Sequence, residues 1–172
     1  MQALRFPDRT TPIGKMINAY LTNAAEMDDH ALHLLFSANR WEARHQIESL
    51  LTSGVSVVVD RYAYSGVAFS AAKGLDLDWC KKPDVGLPAP DVVIYMHLAI
   101  EDAVKRGDFG AERYEKVDFQ RSVQDVFKKL QQPGWKVVDA NQTVEDVHAQ
   151  LKAIALEAIS AHGETPIARI SY

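Results

Sequence analysis

Residues 55–62 have the sequence VSVVVDRY, a β-branched run that ends in charged and aromatic side chains. A continuous run of this kind is typical of a strand that is buried on both faces of a parallel sheet. Two similar runs follow, VVIYMHL at 92–98 and WKVVD at 135–139, and ALRF at 3–6 has the pattern of a short strand end. Helical patterns separate these runs, so the sequence predicts an α/β domain with a parallel sheet.

The stretches between the predicted strands carry helix signals. Thr10 or Thr11 is suited to begin a helix, with Pro12 in its first turn. Asp28 or Asp29 begins a long helix with apolar residues at helical spacing, which we expect to continue to about residue 52. Further helices are predicted at about 65–72, from 101 to the glycine at 107, at about 117–130, and from Asn141 or Thr143 to about 159. Three prolines within 81–91 predict an irregular loop.

Bulk composition limits the possible classes of protein. The chain has 172 residues and a net charge of −4, which indicates one domain over 1–172 without the broad basic face that nucleic-acid binding needs. Cys80 is the only cysteine, so an intrachain disulfide is impossible. The apolar runs are too short to span a membrane and the N-terminal residues lack a signal-peptide core, so we expect a cytoplasmic protein, with the nucleus and mitochondrion left open. Residues 160–172 are expected to be loosely held.

Ligands of parallel sheets bind beyond the carboxyl ends of the strands, where this chain places charged side chains. Asp60 directly follows a predicted strand and could orient Mg²⁺ or its water shell. Arg61 can donate two parallel hydrogen bonds to a phosphate, and Arg9 precedes a helix amino end that favours anions. Each feature alone is more typical of a surface ion pair or turn.

Aromatic residues stand near several of these charges in the sequence. Phe36 and Arg40 are four residues apart on a predicted helix, and their shared face suits a nucleobase through stacking and edge hydrogen bonds. Phe69 lies in the helix predicted after VSVVVDRY, and Arg113 and Tyr114 follow a charged, glycine-containing loop. Taken singly, these aromatic residues are more typical of core and these arginines of solvated surface.

Together the segments resemble one family. In order and at fitting separations, RFPDRTTPIGKMINAYL, HLLFSANRWE, VVVDRYAYSGVAFSAAKG, LDWCKKPDVGLPAPDVVIYMHL and GDFGAERYE are similar to the eukaryotic thymidylate kinases (dTMP kinases), up to about Ile159. The resemblance implies the parallel sheet of P-loop nucleoside monophosphate kinases, with helices on both faces. It also implies phosphoryl transfer from ATP to dTMP with Mg²⁺, giving dTDP for dTTP synthesis.

The resemblance also implies roles for individual residues. Phe36 would stack on thymine and Arg40 would bond the base edge. Arg9 and Arg61 would hold the dTMP phosphate, and Asp60 would act near Mg²⁺, so that Asp60 and Arg61 are the expected catalytic residues.

Further implied contacts lie around the sugar and over ATP. Phe69 would crowd the sugar, Tyr114 would lie against the 2′ position and disfavour ribonucleotides, and Gln120 would contribute near the nucleotide. Residues 107–113 match the lid that closes over ATP. Arg106 and Arg113 are possible lid contacts, but in this branch of the family the catalytic arginine belongs to the P-loop.

The departure from the family pattern is the ATP-binding P-loop itself. No G-x-x-x-x-G-K-[ST] pattern occurs in the sequence, and the only Gly-Lys pair, Gly14-Lys15, belongs to the helix after RFPDRT. By the resemblance we expect an N-terminally truncated chain without the family's central first strand, P-loop and first helix. Such a loss would leave the strands at 55–59 and 92–98 with unpaired inner edges, or force them together.

Two kinds of function remain open at this point. One is a dTMP kinase whose 172-residue chain is poorly active, because P-loop amides and lysine supply much of the stabilisation in phosphoryl transfer. The alternative is a non-catalytic variant that binds dTMP or forms dimers. The family dimerises through helices, so a homodimer through the helix at about 29–52 is expected in either case. A kinase of another nucleoside is a weaker third possibility.

Overall fold

The computed structural model describes residues 1–106, 112–163 and 165–172. Its strands are β1 (Gln2–Arg5), β2 (Val57–Asp60), β3 (Ile94–His97) and β4 (Lys136–Asp139). Its helices are α1 (Pro12–Leu21), α2 (Asp29–Glu42), α3 (Arg44–Thr52), α4 (Ala63–Ala71), α5 (Leu77–Lys81), α6 (Ile100–Lys105), α7 (Val117–Leu130) and α8 (Val144–His162), with a 3₁₀ turn at Lys82–Asp84. The alternation of parallel strands with helices confirms the predicted α/β fold.

Three predicted helix starts are confirmed by their capping bonds. The Thr11 hydroxyl accepts a hydrogen bond from the Gly14 amide at 3.0 Å, ahead of Pro12 at the first helical position. Asp28 accepts from two amides at the start of α2, and Thr143 accepts from one at the start of α8. These short polar side chains satisfy amides that the helix itself leaves without partners, which is why sequence alone locates them.

The long helix predicted over about 29–52 is two helices. The amide of Ala43 bonds the carbonyl of Arg40 at 3.2 Å, three residues back rather than four, and α3 begins at Arg44. This tighter turn interrupts the regular ladder. The prediction of one uninterrupted helix is therefore wrong at Ala43.

The strands form two separate parallel pairs among the described residues, β1 with β2 and β3 with β4. The strands at 55–59 and 92–98 were expected either to keep unpaired inner edges or to pair with each other. In the structure they do not pair with each other. The prediction that these strands are buried on both faces is wrong, because Val58, Met96 and Val137 are 47%, 50% and 52% exposed. Strand side chains alternate between faces. In β4, Val138 is buried while its neighbour Val137 faces outwards.

Two of the apolar clusters pack helices against one another. The larger cluster packs α4, α5 and α7 together through buried residues. Its buried members are Val67, Ala68, Cys80, Val123, Val126, Leu130 and Trp135. A smaller cluster of Ile17, Tyr20, Leu21 and Leu32 joins α1 to α2. The polar segments after β1 and β2 lead directly into α1 and α4.

The C-terminal residues are anchored, which corrects the expectation of a loosely held tail. The amide and carbonyl of Ile170 bond Leu87 and Gly86 at 2.8 and 3.1 Å, and Ile170 is only 3% exposed. Its side chain packs with Ala63 and Leu87. The guanidinium of Arg169 also bonds Glu48 on α3. Burial of one apolar side chain together with backbone pairing holds this segment against the proline-rich loop.

No helix among the described residues has the length and hydropathy that crossing a bilayer requires.

Candidate active site

The turn after β1 is held in place by α2. The amide of Asp8 donates to Asn39 Oδ1 at 2.7 Å, and Asn39 Nδ2 donates to the carbonyl of Asp8 at 3.2 Å and to Thr11 Oγ1 at 3.1 Å. Asn39 is 1% exposed, so these bonds are shielded from water. A Cβ on Gly14 would lie 1.7 Å from the Asp8 carbonyl oxygen, so only glycine fits there. The backbone before Arg9 is therefore rigidly positioned.

Arg9 meets a carboxylate in a two-bond fork. Its Nη1 donates to Glu112 Oε1 at 2.8 Å and to Asn18 Oδ1 at 2.9 Å, and its Nη2 donates to Glu112 Oε2 at 3.1 Å. The bond from Arg9 lowers the pKa of Glu112, and the charges of Arg61 and Arg5 lower it further. Arg9 therefore binds this carboxylate directly, and Arg61 and Arg5 add positive charge around it.

Arg61 follows β2 in a backbone conformation that is uncommon for a residue with a side chain. Its φ is 63°, in the left-handed region, and such strain is concentrated at functional sites. The guanidinium lies 5.3 Å from the centre of the Phe69 ring and bonds Ser65 Oγ at 3.5 Å. The sharp turn at the strand end therefore directs Arg61 towards Phe69 and Ser65 of α4.

An aromatic cluster adjoins the arginines. The ring of Tyr114 lies 5.4 Å from Phe69 and 5.2 Å from Phe119, and both Phe36 and Tyr114 pack on the cluster between α1 and α2. Gln120 Nε2 donates to the carbonyl of Tyr114 at 2.8 Å. Burial raises the pKa of the Tyr114 phenol to about 12, so it stays neutral. The structure thus brings Phe36, Phe69, Tyr114 and Gln120 together.

Lys73 is a part of this cluster that the sequence reasoning missed. Its Nζ donates to Asp29 Oδ1 at 2.6 Å and to the Tyr20 hydroxyl at 3.0 Å, and lies 4.8 Å from the ring centres of both Tyr20 and Tyr114. Burial lowers the pKa of Lys73, but its bonds to Asp29 and the tyrosines outweigh burial and raise it overall. No local sequence signal marks this lysine, because its partners come from α1, α2 and the segment before α7.

Arg40 is buried against a carboxylate. Its Nε and Nη2 donate to the two oxygens of Asp84 at 3.0 and 2.7 Å, and Ser37 Oγ donates to Asp84 Oδ1 at 2.8 Å. Gly66 of α4 lies directly alongside, since a Cβ there would come 2.7 Å from Arg40 Nη2. The guanidinium is therefore fixed between α2, α4 and the 3₁₀ turn, with two of its three nitrogens on Asp84.

The two candidate lid arginines, Arg106 and Arg113, form hydrogen bonds away from Arg9 and Glu112. Arg113 donates to both oxygens of Glu26 at 2.9 and 2.7 Å and to the Tyr20 carbonyl at 3.0 Å. Arg106 Nη2 donates to the carbonyl of Ala140, after β4, at 2.6 Å. Neither contact joins the arginines at Glu112. Residues 107–111 of the predicted lid lie outside the described residues.

Asp60 is the one predicted metal-binding residue. Its carboxylate is 62% exposed and lies 3.2 Å from Arg5 Nε. In the described parts of the chain, no three His, Cys, Asp or Glu residues group closely enough to hold a metal ion. A single strand-end carboxylate still fits Mg²⁺, which commonly takes one or two carboxylates together with substrate phosphates. Asp60 therefore fits Mg²⁺ only as one ligand beside a bound nucleotide.

The chain is similar to known thymidylate kinases. The thymidylate kinase family model matches residues 1–151. Thymidylate kinase from Dictyostelium discoideum is 54% identical over 89% of this chain and 69% of its own length. The human thymidylate kinase is 47% identical over 98% of this chain and 82% of its own length. The chain covers 59% of the Arabidopsis thaliana thymidylate kinase, at 50% identity.

A solved structure has the same fold. The thymidylate kinase from Candida albicans superposes with a TM-score of 0.90 at 39% identity, over 98% of this chain and 85% of that one. The fold class predicted from the sequence is thereby confirmed as that of a nucleoside monophosphate kinase. With a family match over most of its length and relatives near 50% identity, this chain belongs to the thymidylate kinase family.

Proposed function

We propose that this chain binds dTMP as the phosphoryl acceptor of a dTMP kinase. The observation that carries the proposal is the two-bond contact of Arg9 with Glu112 beside Arg61, whose charge lowers the pKa of that carboxyl and whose guanidinium lies 5.3 Å from the Phe69 ring centre. A nucleoside monophosphate needs an anion-binding group and an aromatic surface about one sugar apart. In this arrangement Arg9 and Arg61 hold the phosphate.

The base and sugar are assigned to the aromatic cluster and to Arg40. Phe36 stacks on thymine, and Arg40 bonds the base edge through Nη1, since Nε and Nη2 already bond Asp84. Phe69 packs against the sugar and Tyr114 lies at the 2′ position. Gln120 acts indirectly, because it fixes the Tyr114 backbone with a 2.8 Å bond. Base recognition therefore depends on a guanidinium that Asp84 holds in place.

The reaction proposed for the family fold is transfer of the γ-phosphoryl group of ATP to dTMP, giving dTDP. Mg²⁺ supplies charge neutralisation between phosphates, and Asp60 would hold it, directly or through water. Arg61 would orient the acceptor phosphate. The 172-residue sequence has no P-loop pattern, and Arg106 and Arg113 are engaged elsewhere. We therefore expect these residues on their own to bind the acceptor well and to transfer phosphate slowly.

A second candidate is a role as a dTMP-binding or dimerising protein without catalysis. The dimer surface proposed here includes Leu34 on α2, which is 48% exposed although Leu32 and His33 beside it are buried. The homodimer through α2 and α3 is proposed for both candidates. The two are separated by measured turnover, since they share the acceptor site.

The test of acceptor binding is calorimetric titration with dTMP and with thymidine, which lacks the phosphate. Arg9→Met is expected to weaken dTMP binding by about 1.5–3 kcal/mol, the usual contribution of a hydrogen bond to a charged group, and to leave thymidine unchanged. Arg121→Met, which removes an exposed arginine paired with Glu101, is the matched control. dUMP and dGMP are titrated alongside, because the Candida albicans relative is described as having broad substrate specificity. Absence of dTMP binding by the folded wild-type chain would contradict the proposal.

A further inference from the structure

Glu112 occupies the two-bond face of Arg9. Both of its oxygens accept from Arg9, at 2.8 and 3.1 Å, in the parallel two-bond geometry that arginine also offers to phosphate. The segment that carries Glu112 is tied down by its neighbours. The amide of Arg113 bonds the Leu21 carbonyl at 3.1 Å, and the amide of Glu112 bonds Glu115 Oε2 at 3.0 Å. These bonds position the backbone that carries the Glu112 carboxylate beside Arg9.

The charges around Glu112 come from three separate segments. Arg5 ends β1, Arg9 lies in the turn before α1, and Arg61 follows β2. All three lower the pKa of Glu112, with the bond from Arg9 as the largest cause. At neutral pH a carboxylate is the side-chain anion that a protein ordinarily supplies to such a group of arginines. An incoming phosphate meets the same three charges and carries more negative charge than the carboxylate.

The ion pair is also accessible from solvent. An open cleft of about 610 Å³ is lined by Arg5, Arg9 and Glu112 among others. The side chains of Arg9 and Glu112 are 40% and 35% exposed. Exposed pairs of this kind stabilise a fold only weakly, so a competing anion can separate them at small cost.

We propose that Glu112 is an internal competitor for the acceptor phosphate, so that dTMP binds Arg9 by displacing the Glu112 carboxylate. The inference rests on the proposed function, because it takes Arg9 as the phosphate-binding residue. Glu112 thereby lowers the affinity for any phosphate at this position. It does not lower the affinity for the nucleoside part of the ligand, which contacts the aromatic cluster instead.

The opposite role is a positioning one, in which Glu112 holds Arg9 ready for the phosphate. The two roles predict opposite changes in the affinity for dTMP when Glu112 is removed. A competitor, once removed, leaves Arg9 free and the affinity for dTMP rises. A positioning residue, once removed, leaves Arg9 disordered and the affinity falls. The conservative change Glu112→Gln keeps the size of the side chain and removes its charge.

The experiment is calorimetric titration of wild type, Glu112→Gln and Glu112→Ala with dTMP and with thymidine. Glu157→Gln, which removes the same charge from an exposed position on α8, is the matched control. Both Glu112 variants are expected to bind dTMP about two- to tenfold more tightly, the range that follows from releasing an exposed ion pair and its repulsion. Thymidine affinity and the control variant stay at the wild-type level.

The outcomes separate this inference from the proposed function. Equal or weaker dTMP binding by both Glu112 variants, with wild-type binding intact, overturns the competitor role alone. A similar gain for thymidine also overturns it, because the change would then have reshaped the pocket rather than freed Arg9. If no variant binds dTMP, the proposed function is wrong and the inference is wrong with it.

Discussion

Arg40 and Asp84 form a two-bond ion pair whose side chains are 2% and 0% exposed. The pair joins α2 to the 3₁₀ turn across 44 residues of sequence, and Ser37 on α2 adds a third bond to the same carboxylate. Removing both charges from water is costly, and their mutual bonds offset that cost only while both partners are present. The pair therefore fixes the geometry of this part of the site and makes it sensitive to single substitutions.

We predict that Arg40→Met lowers the free energy of unfolding by about 3–5 kcal/mol, because it leaves Asp84 as an unpaired buried charge. The double variant Arg40→Met, Asp84→Met is expected to be more stable than either single variant, since it leaves neither charge behind. The measurement is urea unfolding followed by circular dichroism. Arg44→Met, which breaks the more exposed pair with Glu48, is the control and should cost less than about 1 kcal/mol. Additive effects of the two buried substitutions would contradict the assignment.

A second prediction concerns pH and His33. Its Nε2 donates to the Cys80 carbonyl at 2.9 Å, its Nδ1 lies 2.7 Å from Ser70 Oγ, and the ring is fully buried. Burial lowers the pKa of His33 below its ordinary value of 6.5, despite opposing contributions from the Cys80 carbonyl and Asp84. The unfolded chain therefore takes up a proton first as pH falls. The stability due to neutral His33 is fully present above about pH 6.5 and is lost below it.

The expected slope is up to about 1.4 kcal/mol per pH unit below pH 6.5, the value for one proton. Urea unfolding between pH 7.5 and 5.5 measures it. His33→Gln should flatten this slope, whereas His45→Gln, at a side chain 93% exposed, should keep it. An unchanged slope in His33→Gln would show that other groups cause the pH dependence.

A third prediction concerns turnover. The 172-residue chain is expected to transfer phosphate from ATP to dTMP more than about 10²–10³-fold more slowly than the human thymidylate kinase, because loss of even one preorganised donor costs that much. A coupled assay of ADP release measures both proteins side by side. Fusing a family P-loop unit ahead of Met1 should raise the rate. Turnover within about a hundredfold of the human enzyme would contradict the prediction, because another segment would then have to stabilise the transferred phosphate in place of the P-loop amides.

A fourth prediction concerns the homodimer. We expect wild-type protein to sediment as a dimer at about 30 µM, a concentration at which an interface of standard size holds. Leu34→Glu, on the exposed face of α2, should shift it to monomer, because the change places a charge in the proposed interface. Leu156→Glu on α8, where the side chain is 56% exposed, is the matched control and should leave the dimer intact. Sedimentation of the wild type as a monomer would contradict the prediction.

Features that depend on neighbouring residues could be predicted from the sequence. Helix starts at Thr11, Asp28 and Thr143 follow from side chains that bond amides two or three residues away. Strands follow from β-branched runs, and the family follows from the order of motifs. The aromatic and arginine residues of the candidate site were also found this way, since the motifs carry them.

Which charged groups meet could be seen only in the folded chain. Arg9 meets Glu112 across 103 residues, Arg113 meets Glu26 across 87, and neither partner is marked by local spacing. The anchoring of the tail was not predicted, and the choice between the two strand arrangements stayed open. Both depend on contacts between segments that are distant in the sequence. Caps and strands depend on local backbone chemistry, whereas an ion pair or a buried face depends on which distant segments the fold brings together and removes from water.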